Sequence, residues 1–227
     1  MDKLGPSIWL LLSVLSYLEP TASQAEVRRV MTEVLWRIDN LQAIGGMNVT
    51  LLGSPKVIDT QGGRAIEFDG EQDGLLLPGQ PLKGFGIFTV EVIFRPDTNG
   101  PKEQRFLHLQ EDGTENRILI ETRLTDDNRW FLDTYIHSDQ SDQTLFAKQF
   151  PHPVGQWYQA ALVFDGNQMR HYVNGVKELS SAIKFSPLRE GRTSIGVRIN
   201  RVHWFKGAIR TVRFVPRALD SGEFLNP

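Results

Sequence analysis

A chain of 227 residues, 40% hydrophobic and 23% charged, has the composition of one globular domain and is too short for two full ones. Its 25 basic and 27 acidic residues leave a formal net charge of −2, which argues against the basic footprint of a nucleic-acid-binding protein. With no cysteine there is no disulfide, no thiolate metal site and no cysteine nucleophile.

At the N-terminus, Lys3 precedes an apolar run at residues 8–18, followed by Glu19, Pro20 and the small-residue stretch Ser23-Gln24-Ala25. Residues 1–25 read as a secretory signal peptide cleaved after Ala25, because the run is shorter than the ~20 apolar residues that span a bilayer. This predicts a secreted or periplasmic protein with no membrane span in the mature chain. Asp2 interrupts the positive leader, so a retained anchor is the alternative. Residues 26–35 form a lead-in: Val27, Val30, Met31 and Val34 fall at helical spacing, and the segment is expected to give way to a strand near Glu33. The domain proper then occupies residues 36–227.

Strands are expected at 48–51, 56–59 and 65–68, punctuated by Gly53-Ser54-Pro55 and Gly62-Gly63. Further strands are expected at 88–95, 105–109, 117–124, 129–137, 144–148, 193–199 and 207–214. In residues 156–178, Asp165-Gly166 and Asn174-Gly175 stand at the two ends of one short strand. Both dipeptides suit tight hairpin turns, and the period-two alternation around them predicts an antiparallel meander. Many short strands with regular turn signals indicate an all-β, two-sheet sandwich.

Three phrases carry a family resemblance: the strand led by Trp157 with its Asp165-Gly166 turn and Tyr172-Val173-Asn174-Gly175 hairpin, the Phe68-Asp69-Gly70 turn running on to Pro78, and Trp204-Phe205-Lys206-Gly207 before the last strand. From about Trp36 to Phe224 the chain resembles the laminin-G-like branch of the concanavalin A-like lectin/glucanase superfamily. The resemblance implies an antiparallel jelly-roll sandwich whose curved, concave sheet holds sugars. It also makes Phe205 a plug of the sandwich edge.

Alternation places Arg117, Glu121 and Arg123 on one face of their strand, and Phe131, Asp133, Tyr135 and His137 on one face of the next. If the two faces coincide, a patch of mixed charge and aromatic character forms across the hairpin, to which the preceding strand adds Gln104, His108 and Gln110. Candidate ligand-binding residues are therefore His108, Arg117, Glu121, Arg123, Asp133 and Tyr135, joined by Arg198, Asn200 and Trp204 from a second cluster. Tyr135, Trp130 or Trp204 would stack on a sugar ring while the charged groups bond its hydroxyls. The plainer alternative is a cross-strand ion-pair network. His171 reads as a satisfied core or surface histidine.

The resemblance also raises calcium, for which Asp39, Asp69, Asp73 and Asp165 are oxygen donors, although Asp in such positions more simply builds turns. No cofactor is expected. No strand carries the closely spaced carboxylate pair of a retaining glycosidase. Glu121 and Asp133 face arginines, which should lower their pKa values. A polysaccharide lyase using Gln104, His108, Arg123 and Tyr135 has the right residue types in the wrong strand order. The expected function is an exported, non-catalytic module that binds a glycan or another cell-surface component, the alternatives being a lyase-like enzyme and a protein-interaction module.

Overall fold

The computed structural model describes residues 32–139 and 141–227. The signal-peptide expectation and most of the lead-in lie outside the described residues. In chain order the strands are β1 (Val34–Arg37), the small hairpin β2 (Ala43–Ile44) and β3 (Met47–Asn48), β4 (Thr50–Leu52), β5 (Lys56–Thr60), β6 (Gly63–Asp69), β7 (Gly74–Leu77), β8 (Phe88–Pro96), β9 (Glu103–Glu111), β10 (Arg117–Leu124), β11 (Arg129–Ser138), β12 (Ser141–Phe146), β13 (His152–Pro153), β14 (Tyr158–Phe164), β15 (Gln168–Val173), β16 (Val176–Ala182), β17 (Gly191–Ile195) and β18 (Lys206–Val215). One 3-10 turn, Ser221–Glu223, follows them.

The strands form two antiparallel eight-stranded sheets, the jelly-roll sandwich expected from the sequence. One runs β16-β15-β14-β8-β18-β6-β5 with β1 beside β18; the other runs β12-β11-β10-β9-β17-β7-β4 with β13 beside β11. The meander of the first sheet is closed by Asn174 and Gly175, both at positive φ (48° and 76°), as a tight two-residue hairpin requires. Its other turn is held by Asp165, whose Oδ1 accepts from the backbone N–H groups of Asn167 and Gln168. Three strand expectations were displaced, the one at 144–148 being found at Ser141–Phe146. The single strand expected at 48–51 is divided between β3 and β4, and the one expected at 193–199 stops at Ile195 because Gly196 turns to φ 80°.

Inward side chains of both sheets meet in one core. Phe94 stacks on Phe106 with ring centroids 4.4 Å apart and meets Trp130 edge-on at 5.1 Å. Phe205 is fully buried against the same group, the plug role expected of it. Each such ring contributes roughly 1.5–3 kcal/mol by leaving water. His171 is a core histidine satisfied at one nitrogen: its Nδ1 lies 3.0 Å from Thr134 Oγ1 on the opposite sheet, while its buried Nε2 lies 3.6 Å from Glu178 and makes no hydrogen bond. Burial pulls its pKa down to about 3.

Candidate functional site

Register decides what β9, β10 and β11 present on their outward face. Glu121 of β10 stands between Arg105 of β9 and Asp133 of β11; Leu119 stands between His108 and Tyr135, and Arg117 between Gln110 and His137. The two faces anticipated from alternation therefore coincide. The β9 strand differs from expectation because its register shifts opposite Ile120/Glu121. A bulge adds one residue and flips the parity on one side of it. Phe106 and Leu107 both enter the core, so Glu103 and Arg105 join His108 on the outward face. Gln104 is fully buried instead, accepting from Lys206 N–H at 2.7 Å and donating to the Pro101 carbonyl at 2.9 Å.

The result is a partly open cleft of roughly 190 Å³ whose walls include Arg105, Arg117, Glu121, Arg123, Asp133, Tyr135, Thr144 and Arg198. Arg123 Nε donates to Asp133 Oδ2 at 2.8 Å, its Nη1 pairs with Glu103, and its Nη2 lies 3.6 Å from Glu121. Arg105 Nε is 2.8 Å from Glu121 Oε1, yet its N–H is not aligned to form a hydrogen bond, so the contact is electrostatic. Arg117 covers the Tyr135 ring at 5.1 Å and pairs with Glu115. Arg198 has no carboxylate within ion-pair distance among the described residues. Burial pulls its pKa down, and the Arg117 and Arg105 charges add to that pull.

The electrostatics overturn one expectation. Glu121 and Asp133 are 2% exposed, and burial pushes both pKa values up, Glu121 to about 7. Arginines pull the other way, but desolvation of the charged form outweighs them. His108 shares the outward parity but is covered: it is 1% exposed, and its Nδ1 accepts from Ile199 N–H at 3.1 Å. Burial, reinforced by surrounding arginines, takes its pKa down to about 3.

The cleft thus brings together Arg117, Glu121, Arg123, Asp133, Tyr135 and Arg198. His108, Asn200 and Trp204 do not line it; Asn200 is exposed and Trp204 half-buried. Trp130 belongs to the core, where its Nε1–H donates to the Pro153 carbonyl, so it cannot stack on a ligand. Sequence reasoning missed Arg105, hidden by the bulge, and Phe146, which is 44% exposed with the Arg123 guanidinium 5.6 Å from its ring. Arg123 is a shared wall, since it also lines a neighbouring hollow with Phe131, Phe146, Lys102 and Lys148. Phe146 is thereby an aromatic face beside the cleft, where the Tyr135 ring is already covered by Arg117.

Among the described residues no group of three His, Asp or Glu side chains is arranged to hold a metal ion. Asp69 accepts from the N–H groups of Glu71, Gln72 and Asp73, which makes it a turn-builder like Asp165, while Asp73 accepts from the N–H of Ser54 and so ties two loops together.

A family model described as the concanavalin A-like lectin/glucanases superfamily matches residues 69–223. No curated protein matches the chain. Among solved structures, domain 4 of an extracellular arabinanase from Geobacillus stearothermophilus, in complex with arabinotriose, aligns with TM-score 0.65 at 20% identity over 84% of this chain and 94% of that one. A heptameric SAP-like pentraxin from Limulus polyphemus aligns at 0.57 and 17% identity over 69% and 77%. The binding domain of botulinum neurotoxin DC, in complex with SialylT, aligns at 0.60 and 11% identity over 84% of this chain and 49% of that one. At these identities the likeness is one of fold.

Proposed function

Because this chain belongs to the concanavalin A-like lectin/glucanase superfamily, we propose that it is a non-catalytic glycan-binding module and that the cleft across β9, β10 and β11 is its ligand surface. One observation carries this reading. Guanidinium groups are fixed in place by buried carboxylates along an open cleft, with Arg198 at its wall facing no carboxylate within ion-pair distance among the described residues. Planar donor forks held in fixed positions suit paired sugar hydroxyls or a sugar carboxylate, and Phe146 offers a ring face beside them. The arabinanase domain of the same fold, solved with arabinotriose, supports a sugar as the ligand class. We place the protein outside the cytoplasm on the strength of residues 1–25, so N-terminal sequencing of exported material should begin at Glu26. A glycan array on residues 26–227 tests the binding reading: selective retention of a sugar supports it, and an empty array refutes it.

An enzyme is the second reading, favoured by the Glu121 and Asp133 pair. A carboxyl group whose pKa is pushed up to about 7 beside a second carboxyl group has the protonation behaviour of a general acid. Incubation with whatever the array retains separates the two readings. Intact glycan identifies a binding module, whereas shortened chains or ultraviolet-absorbing unsaturated uronates identify an enzyme.

A further inference from the structure

The other sheet carries a groove of roughly 420 Å³ where β1, β6 and β18 meet the C-terminal residues Leu225 and Asn226. Arg37 of β1, Arg64 of β6 and Arg210 of β18 line it, brought together from distant parts of the sequence by the pairing of β18 with both β1 and β6. Among the described residues none of the three has a carboxylate within ion-pair distance, and Asp39, the one acid on the wall, lies beyond that distance from each. Arg95 nearby shows the ordinary arrangement: its guanidinium is tied to Asp97 and Glu67.

Arg210 is the most informative of the three. Its guanidinium is half-buried and 5.0 Å from the Trp157 ring, and burial alone, with no acid opposing it, pulls its pKa down. Glycine at position 62 makes room for it, since a Cβ there would fall 1.7 Å from Arg210 Nη1. Desolvating a guanidinium that has no counter-ion among the described residues carries a cost. An oxyanion in the groove would offset that cost and accept paired N–H donors from a planar fork.

We propose that this groove is a second ligand site, which takes the carboxylate or sulfate groups of an acidic oligosaccharide. It is separate from the β9–β11 cleft and does not depend on that cleft binding sugar. The chain's net charge of −2 disfavours a nucleic acid as the occupant.

Titration calorimetry of residues 26–227 with three probes tests it: a sulfated heparin-derived tetrasaccharide, a tetragalacturonate carrying only carboxylates, and an uncharged maltotetraose. Binding of either acidic probe, weakening steeply with added salt, is expected, with no binding of maltotetraose; which acidic probe binds tells sulfate from carboxylate recognition. Arg210→Ala should weaken binding at least tenfold. Arg64→Ala, at an exposed position that leaves the fold intact, should weaken it several-fold. Gly62→Ala retains every charge but puts a methyl group against the Arg210 tip, and should also weaken it. Lys83→Ala, an equal loss of charge at a distant surface pair, should change nothing. The proposal is overturned if neither acidic probe binds, if Lys83→Ala weakens binding as much as Arg64→Ala, or if the loss appears only on Arg123→Lys, which would assign the ligand to the cleft. Equal affinity for a short DNA duplex would also overturn it.

Discussion

In the β9–β11 cleft, Arg105 and Arg123 lie against Glu103, Glu121 and Asp133, two of those acids nearly inaccessible to water. On the opposite sheet, Arg37, Arg64 and Arg210 share a groove with no acid among the described residues close enough to pair with them. The same residue type therefore does two kinds of work. In the cleft the guanidiniums offset part of the cost of burying carboxylates, so recognition and stability are coupled through the same bonds. In the groove the exposed Arg37 and Arg64 hold no carboxylate in place among the described residues, so their charges can be removed with little effect on stability, whereas Arg210 also packs on Trp157.

The sharpest test of that contrast is Asp133→Ala, which deletes a carboxylate 3% exposed in its side chain and leaves Arg123 Nε without an acceptor. Breaking one partner out of a buried pair costs about 3–5 kcal/mol, and a urea titration should find a loss of that size. A loss below about 1 kcal/mol would rank the pair with ordinary surface bridges and erase the contrast.

A smaller effect, of order 1–3 kcal/mol, is expected for sugar binding on Arg123→Lys. Lysine keeps the charge but cannot reach Asp133, Glu103 and Glu121 at once from a planar fork. Calorimetry and thermal melting on the same variant discriminate two outcomes. Weaker binding by a folded protein supports the cleft as a ligand site, whereas a lower melting temperature with unchanged affinity reduces it to a structural ion-pair network.

How far this was legible in the sequence depends on whether a property is local. The Asp165-Gly166 and Asn174-Gly175 turns and the alternation of Arg117, Glu121 and Arg123 against Asp133 and Tyr135 are short-range patterns, and the meander and the cleft face follow from them. The bulge at Phe106 has no signature in Gln104-Arg105-Phe106-Leu107, yet it exchanged Gln104 for Arg105 at the site. Trp130 lies on the opposite parity from Phe131, so alternation itself pointed it inward. His108 was lost to a long-range contact, the backbone of Ile199 closing over it. The pKa of Glu121 was misread because its neighbours are visible in sequence and its desolvation is not. The groove was unreadable because pairing of β18 with β1 and β6 assembles it.

The raised pKa of Glu121 makes the cleft sensitive to pH, with a definite sign. Its folded value of about 7 lies above the ordinary 4.5, so its stabilising share is fully present below about 4.5 and is lost as pH rises through 7. Over that window the cleft also gains a negative charge, so affinity for an acidic sugar should fall between pH 6 and 8 by up to about tenfold, equivalent to about 1.4 kcal/mol. Glu121→Gln should flatten the profile. His108 and His171 act in the opposite sense: both are held neutral with pKa values near 3, so their contribution is lost as pH falls from 6.5 towards 3. An affinity profile that is flat in the wild type would mean that Glu121 does not titrate beside the ligand.

The least perturbing change should be Arg37→Ala. Arg37 is exposed and makes no ion pair among the described residues, so its loss removes no attractive partner. Substitutions of this kind usually stay within about 0.5 kcal/mol. Its coupling to the like charges of Arg64 and Arg210 is weak, since burial alone lowers the Arg210 pKa, and salt screens such coupling over about 10 Å at 0.1 M and over about 30 Å at 0.01 M. Melting in low salt should therefore show Arg37→Ala equal to or slightly more stable than the wild type, the gain disappearing as salt is added. A loss above about 1 kcal/mol at either ionic strength would mean that Arg37 braces the sheet, and the division between a coupled cleft and an uncoupled groove would fail at the groove.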